Sequence, residues 1–306
     1  MKKMQNIEMN EYKKISQYIP LDKSWMIRLG VLDMVNGYDD IIKFLSKQEV
    51  LSEDLQALYR TARDYKNDKP LDIGESGTLY RFLRFASWKL KKEKKFILRG
   101  SLKNRKICNN PAIIKWPLEK LLTLDNGTSQ WASASVLMGN TETVQNPPYK
   151  LRLTYETVSH WNSRRNSSLC WLQRKDETIA KQADAYIELL KNRKTSFKTR
   201  HSEDYCFARA FNLVTPEEAK QKWPSLKGHE SNRIEHMEEV IARADNQEII
   251  ESKDHRVVQA IVMRQKLRKE PIYIIDKIVV NKSWPQFWDF LEYCEKMLKK
   301  TRKKNK

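Results

Sequence analysis

One stretch of the chain reads Gly74-Glu75-Ser76-Gly77-Thr78-Leu79-Tyr80-Arg81, with small and hydroxyl-bearing residues placed directly before an apolar run. This order predicts the start of a helix. The first turn of a helix presents unpaired backbone N–H groups and the positive end of the helix dipole, which suits a phosphate or carboxylate. An ordinary N-cap is the alternative interpretation, because Ser and Thr also cap helices that bind nothing.

Two further segments share this design and give the chain a weak internal repeat. They are Lys23-Ser24-Trp25-Met26-Ile27-Arg28 and Gly127-Thr128-Ser129-Gln130-Trp131-Ala132-Ser133. Two of the three segments carry an arginine about one turn into the helix, at Arg28 and Arg81. Three such helix starts in one chain favour anion binding over plain capping.

Short β-rich runs alternate with amphipathic helices along the chain, which predicts an α/β (α+β) fold. The candidate strands are Lys95–Arg99, Lys150–Leu153, Pro271–Ile275 and Lys277–Val280. A helix is predicted from Asp176 to Lys194, and another behind Pro285, where Trp284, Phe287, Trp288 and Leu291 fall at i, i+3, i+4 and i+7. A chain of 306 residues with 40% hydrophobic residues is long and apolar enough for two modest domains.

Targeting and metal-binding patterns are not visible. No run reaches the ~18 apolar residues that a membrane helix needs, and the amino terminus has no apolar signal region, so we expect a cytoplasmic protein. The four cysteines form no C-x-x-C pair and the five histidines form no H-E-x-x-H pattern. We therefore expect no metal site.

The formal net charge of +19 allows two kinds of ligand. A strong positive field binds nucleic acid, or it attracts small polyanionic substrates. A bias towards Lys and Asn in the composition and a solvated basic tail are a third explanation. Because aromatic residues interleave the basic runs only loosely, we do not expect nucleic acid as the partner.

A series of short motifs follows in order along the chain. The amino-terminal motifs are Lys23-Ser24-x-x-x-Arg28, the loop Gly74–Arg81, Phe96-x-Leu98-x-Gly100 with Arg105-Lys106-Ile107, Thr128-Ser129-Gln130 and Pro148-Tyr149. The carboxyl-terminal motifs are Glu230-Ser231-Asn232-Arg233, Asp254-His255-Arg256 and Lys282-Ser283-Trp284-Pro285-x-Phe287. Together they resemble the motifs of the 5-enolpyruvylshikimate-3-phosphate synthase family, in which the loop reads G-N-[AS]-G-T-x-x-R. The resemblance spans most of the chain.

The resemblance implies a two-domain enolpyruvyl transferase fold of repeated βαβ-type units with a reduced middle. Residues 22–195 would form the domain for shikimate-3-phosphate, and residues 1–21 with 196–306 the domain for phosphoenolpyruvate and the catalytic acid and base. The implied reaction moves the enolpyruvyl group to the 5-hydroxyl of shikimate-3-phosphate and releases phosphate, in chorismate and aromatic amino-acid biosynthesis. It implies these two small-molecule substrates, no cofactor and a monomer.

The resemblance also implies a role for each matching residue. Lys23, Glu230 and Asp204 would be catalytic, with an acidic N-cap as the alternative for Asp204. The residues that would bind shikimate-3-phosphate are Ser24, Arg28, Thr128, Ser129, Gln130 and Tyr149. Those that would bind phosphoenolpyruvate are Gly77, Arg81, Lys103, Arg233, Arg256 and Lys282.

Several departures keep a second hypothesis open. The interval from Tyr149 to Asp204 is about half as long as is usual in the family, and the interval from Arg233 to His255 is also short. Glu75 stands where asparagine is usual, so its charge would repel anionic substrates. His229 and Asn232 replace a lysine and an aspartate. The alternative is an inactive relative that binds a phosphorylated metabolite or nucleic acid through its basic cleft.

Overall fold

The computed structural model describes residues 14–67, 69–139, 149–163, 172–192, 194–199, 202–226 and 232–304. The chain divides into two compact units. The central unit is Leu21–Arg174, and the terminal unit is Met1–Pro20 together with Lys175–Lys306. Helices dominate both, and the strands are few and short. The expectation of an α/β fold is therefore met only in part, because most of the structure is α-helical.

The central unit contains one parallel strand pair among its helices. Its helices are α1 (Lys23–Asn36), α2 (Asp40–Leu45), α3 (Glu53–Tyr65), α4 (Gly77–Lys89), α5 (Leu118–Leu121), α6 (Gln130–Leu137) and α7 (Arg152–Ser163), and its strands are β1 (Leu71–Gly74) and β2 (Phe96–Leu98). Short 3-10 helices cover Gly100–Asn104, Pro111–Lys115 and Tyr149–Leu151, and Leu124–Gly127 is a short helical segment with positive φ at Asp125 and Asn126. Strands β1 and β2 run parallel with α4 between them, a βαβ unit.

Helix α1 lies at the centre of this unit. Every residue from Trp25 to Met34 is buried, and a helix that is buried on all sides belongs in a core. Gly30 permits the close packing of α3, since a Cβ at this position would lie 2.7 Å from Cδ1 of Leu58. The motif residues at the start of α1 are thereby attached to the most deeply packed helix of the unit.

The terminal unit repeats the βαβ arrangement on a smaller scale. Its helices are α8 (Glu177–Asn192), α9 (Tyr205–Ala210), α10 (Pro216–Lys222), α11 (Arg233–Asp245), α12 (His255–Arg268) and α13 (Phe287–Lys304), its strands are β3 (Ile249–Ile250) and β4 (Tyr273–Ile274), and its 3-10 helices are Ser202–Asp204, Pro224–Leu226 and Ile278–Lys282. Strands β3 and β4 run parallel with the buried helix α12 between them. The amino-terminal residues belong here too, because Nε1 of Trp284 donates to the carbonyl of Tyr18 at 2.7 Å.

Two of the four predicted strands are wrong. Lys150–Leu153 forms the end of a 3-10 helix and the start of α7, because helical spacing brings Thr154 and Thr157 to the core, where both are fully buried. Lys277–Val280 lies in a 3-10 turn, which begins where Oδ1 of Asp276 accepts from the backbone N–H of Ile278 at 2.8 Å. Four-residue apolar runs do not distinguish strand from helix.

The other elements predicted from sequence patterns are confirmed. Lys95–Arg99 contains β2 and Pro271–Ile275 contains β4. Both predicted helices exist, as α8 and α13. Helix α8 lies in the terminal unit, because its apolar face packs into the core of that unit. The division at residue 195 that was predicted from the sequence put this helix in the other domain. Among the described helices, none combines the length and apolar character needed to cross a membrane.

Candidate functional site

The three predicted anion-binding segments of the central unit all lie at helix starts. Helix α1 begins at Lys23, and its N-cap residue Asp22 accepts from the backbone N–H of Trp25 at 3.0 Å. Helix α4 begins at Gly77 and α6 begins at Gln130. The predicted helix starts are confirmed, and side-chain contacts join them.

Arg28 is the first of these links. Its Nε donates to Oγ1 of Thr154 on α7 at 2.9 Å, and the Thr154 hydroxyl donates to Oγ of Ser133 on α6 at 2.9 Å. Its Nη1 donates to the carbonyl of Ser24 at 2.7 Å. Burial lowers the pKa of Arg28 to about 10, against the raising effect of Asp22. The guanidinium therefore remains charged at neutral pH inside a buried network.

Arg81 forms the second link. Its Nε donates to Oδ2 of Asp125 at 2.7 Å, and its Nη1 donates to Oε1 of Gln130 at 2.7 Å. The side chains of Arg81 and Asp125 are only 5% and 7% exposed. Asp125 also accepts from the backbone N–H of Cys108 at 2.9 Å and from Nε1 of Trp131 at 2.8 Å. Arg81 is thus part of a buried ion pair that holds the side chain of Gln130 in place.

Lys23 lies at the margin of this region in an ion pair of its own. Its Nζ is 2.8 Å from Oδ2 of Asp54 on α3, with the two side chains 20% and 12% exposed. Thr128 accepts from the backbone N–H of Gln130 at 3.4 Å, and the carbonyl of Ser129 accepts from the N–H of Ser133. Both hydroxyl residues are half-buried. Tyr149 begins a 3-10 helix.

The loop before α4 brings a second guanidinium to the helix start. A Cβ at Gly77 would lie 3.0 Å from Nη1 of Arg81 and 3.4 Å from Nη1 of Arg105, so glycine allows both to approach the backbone. Oε2 of Glu75 accepts from the hydroxyl of Ser101 at 3.0 Å, which ties this carboxylate to the 3-10 helix after β2. Lys103, on the same 3-10 helix, is exposed.

In the terminal unit, Asp254 gathers the predicted arginines. Nε of Arg233 donates to Oδ2 of Asp254 at 2.8 Å, and the backbone N–H of Arg256 donates to Oδ1 at 3.0 Å. Burial acts to raise the pKa of Asp254, but the charges of Arg233 and Arg256 outweigh it, so the pKa is below its ordinary value. The carboxylate stays ionised, holds the guanidinium of Arg233 and caps α12 at the backbone N–H of Arg256.

The same cluster extends to the start of α9. The pKa of the Cys206 thiol is raised to about 12, first by burial and then by the charge of Asp254, while Arg233 and Arg256 oppose the shift. Cys206 therefore lies within electrostatic reach of all three residues. Asp204 is buried and occupies the N-cap position of α9, but its side chain accepts no capping hydrogen bond from that helix, so the position alone agrees with the alternative interpretation.

Lys282 ends the 3-10 helix that packs against α12. Gln259 on α12 donates to the carbonyl of Val280 at 3.3 Å and to Oγ of Ser283 at 3.2 Å, which fixes the backbone on either side of Lys282. Glu230, the predicted acid or base, lies outside the described residues, as do Pro148, His229 and Ser231.

Each unit thus places motif residues in the turn between a strand and the helix of a βαβ unit. In the central unit this turn joins β1 to α4 at Gly74–Gly77, and in the terminal unit it joins β3 to α12 just before His255. The sequence motifs did not point to Asp54 or Asp125, the carboxylates that hold Lys23 and Arg81. The run Asp125-Asn126-Gly127, whose residues favour positive φ, was the available signal for a specialised turn.

Within the described residues, no group of three or more His, Cys, Asp or Glu side chains is arranged to hold a metal ion. No protein-family model, curated protein or solved structure matches the chain.

Proposed function

We propose that the chain transfers the enolpyruvyl group of phosphoenolpyruvate to the 5-hydroxyl of shikimate-3-phosphate and releases phosphate, as a divergent member of the family it resembles. The observation that carries the proposal is the network at the three helix starts of the central unit. Arg28, which would hold the shikimate ring, is fixed there by a buried hydrogen bond, and Gln130, its partner in that role, is fixed by a partly buried one.

The central unit would bind the shikimate-3-phosphate. Hydroxyl groups of Thr128 and Ser129 at the start of α6 suit the phosphate, and the helix N-terminus adds backbone N–H groups. Arg28 contributes a permanent charge, and Ser24 lies beside it on α1. In this proposal Arg81 acts by positioning Gln130, because its own charge is paired with Asp125.

Phosphoenolpyruvate needs fixed positive charges for its phosphate and carboxylate. Arg233, oriented by Asp254, and Arg256 would supply them, with Lys282 and Lys23 as movable point charges. The reaction adds the 5-hydroxyl to the enol carbon with protonation of the methylene, and then eliminates phosphate with loss of that proton. Glu230 and Asp204 would be the acid and base for these steps.

A second candidate function has one observation in its favour. Lys23, Arg81 and Arg233 are each already paired with a carboxylate of the chain. An inactive relative that binds a phosphorylated metabolite without turnover would tolerate such pairing, whereas a catalyst must exchange at least the Lys23 pair for its substrate. The 20% exposure of Lys23 leaves that exchange accessible to a ligand phosphate.

Phosphate release from shikimate-3-phosphate plus phosphoenolpyruvate by the purified protein tests the proposal. We expect Lys23→Ala and Glu230→Gln to abolish release while the fold is kept, and Lys47→Ala, an exposed lysine outside the motifs, to leave it unchanged. Turnover in Lys23→Ala at the unmutated rate contradicts the assignment. Thermal stabilisation by shikimate-3-phosphate with no phosphate release favours the second candidate. An absence of both effects excludes the enolpyruvyl transfer and also excludes shikimate-3-phosphate as the metabolite of the second candidate. A ligand at 100 times its Kd adds about 2.7 kcal/mol to the free energy of unfolding.

A further inference from the structure

The positive charge of the chain is distributed very unevenly. Residues 1–83 contain thirteen Lys and Arg and thirteen Asp and Glu, so their formal charges cancel. Residues 84–120 contain twelve Lys and Arg but only two Glu, which is +10 of the total +19 in 37 of the 306 residues. A general bias in amino-acid composition affects all segments alike and does not produce this concentration.

Arg84, near the middle of α4, contacts several parts of this segment. The guanidinium of Arg84 lies 5.0 Å from the ring centroid of Trp88 and 5.8 Å from that of Phe96 on β2, and its Nη2 donates to Oδ1 of Asn109 at 2.9 Å. The 3-10 helix Pro111–Lys115 packs against α4. These contacts join the end of α4, β2 and the following loops into one region, which we call the basic surface (residues 84–120).

Most lysines of the basic surface are exposed and form no ion pair within the part of the chain that the structure describes. Eight of them are exposed, namely Lys89, Lys91, Lys92, Lys95, Lys103, Lys106, Lys115 and Lys120. None of the eight forms an ion pair with another described residue, whereas elsewhere Lys43 pairs with Asp39 and Lys266 with Glu295. Uncompensated like charges repel one another and reduce stability, so packing does not explain this surface.

We propose that the basic surface binds nucleic acid through its phosphate backbone, without regard to base sequence. A phosphate backbone contacts many lysines at once, and each contact releases counterions into solution. Such a surface therefore binds nucleic acid with high affinity at low salt concentration. Lysine provides point charges for phosphates, in contrast to the bidentate arginine contacts that read base edges. Seven of the eight lysines lie outside the residues assigned to enolpyruvyl transfer, so this inference does not depend on that function.

A membrane surface fits the same region less well. Its exposed large apolar side chains are Leu90 and Ile97, 41% and 43% exposed, and they lie on different elements. Interfacial membrane binding requires a continuous apolar face on an amphipathic helix in addition to basic residues. Two single apolar side chains do not form such a face.

Fluorescence anisotropy with labelled oligonucleotides tests the proposal. The probes are a single-stranded RNA and a duplex DNA, both titrated between about 50 and 200 mM salt, the range over which phosphate contacts change affinity most visibly. The test variant is Lys89→Gln/Lys92→Gln/Lys95→Gln. The control variant, Lys47→Gln/Lys69→Gln/Lys220→Gln, removes the same charge from exposed lysines outside the basic surface.

We expect both probes to bind the unmutated protein, with log affinity falling linearly against log salt. The test variant should bind at least about tenfold more weakly, and its salt slope should fall by about two for RNA and about three for DNA, the values for three lost phosphate contacts. The control variant should stay within about twofold of the unmutated protein, since its lysines contact no phosphate. All six side chains are exposed, so we expect unchanged circular dichroism spectra.

Three results would overturn the proposal. The first is no binding of either probe at the lowest salt concentration. The second is equal weakening in the test and control variants, which would assign binding to the overall charge of the chain. The third is binding to phosphatidylserine vesicles without binding to nucleic acid, which would make the basic surface a membrane contact.

Discussion

Removing the carboxylate of Asp125 should strongly destabilise the central unit. Asp125 and Arg81 are almost completely buried, and loss of one partner from a buried ion pair costs about 3–5 kcal/mol because the other charge stays buried without compensation. Two more donors, the backbone N–H of Cys108 and Nε1 of Trp131, lose their acceptor. In addition, φ of Asp125 is 46°, where alanine is strained by about 1–2 kcal/mol. We expect Asp125→Ala to lose at least about 4 kcal/mol.

A comparison with Asp125→Asn separates the effect of the lost charge on stability from the effect of backbone strain. Asparagine tolerates positive φ and keeps one carbonyl acceptor, so its loss should be smaller, about 3 kcal/mol, the lower end of the range for a broken buried ion pair. The exposed pair of Lys43 and Asp39 gives the control, because Asp39→Ala should have no measurable effect on stability. Urea unfolding followed by tryptophan fluorescence measures the change in the free energy of unfolding.

Hydrogen exchange at the Cys108 amide localises the effect to the central unit. This N–H donates to Asp125, so its protection should fall sharply in Asp125→Ala and only moderately in Asp125→Asn. Without Asp125, Arg81 would no longer hold the side chain of Gln130 in place, so the stabilisation of the protein by shikimate-3-phosphate should weaken. If Asp125→Ala matches Asp39→Ala in unfolding midpoint and keeps full protection at Cys108, the buried pair does not stabilise the fold.

Three further predictions follow from single residues. Because folding lowers the pKa of Asp254, this carboxylate stabilises the fold fully above its unfolded pKa of about 4, and the stabilisation is lost as the pH falls through the folded pKa. The free energy of unfolding of Asp254→Asn should therefore fall less steeply with pH on the acid side than that of the unmutated protein. An equally steep fall in both proteins would contradict this. Gly100 has a φ of 49°, and a Cβ there would lie 1.5 Å from Oε1 of Glu75. Gly100→Ala should therefore lower the melting temperature, and adding Glu75→Ala should restore only part of the loss, because the backbone strain remains. A full restoration would show that the backbone strain is negligible. Burial raises the pKa of Cys206 to about 12, so iodoacetamide should leave this thiol unmodified at pH 8 until the protein is unfolded in urea, as peptide mass spectrometry will show.

The helix starts were predictable because their chemistry is local. A hydroxyl or small residue before an apolar run satisfies N–H groups within one turn, so the starts of α1, α4 and α6 can be identified without knowledge of the rest of the fold. The strands were less predictable because pairing is not local. Strand β3 consists of two residues, and its existence depends on β4 more than twenty residues later.

The helix starts that carry the motif residues of the candidate site were predictable, but the ionic environment of those residues was not. The motif residues Arg28 and Gln130 do gather in the central unit, through contacts with α7 and α4. Their partners could not be predicted from spacing, because Thr154 directly follows a segment, Lys150–Leu153, that was predicted as a strand, and Asp54 belongs to no motif. A carboxylate that neutralises a distant cation becomes recognisable only after the helices are packed.

Because the first described residues belong to the terminal unit, their apolar side chains stay exposed for a long time while the chain is synthesised. Ile15 and Ile19 are buried in the core of that unit, and the carbonyl of Tyr18 accepts a hydrogen bond from Trp284, which is 266 residues later in the chain. At about 5–20 residues per second, the interval between their synthesis is roughly 10 to 50 s. The central unit is complete long before then, since it is one uninterrupted segment. A ribosome that stalls before Trp284 therefore releases a chain with uncovered apolar residues at its amino terminus, and we expect chaperones and proteases to recognise that product.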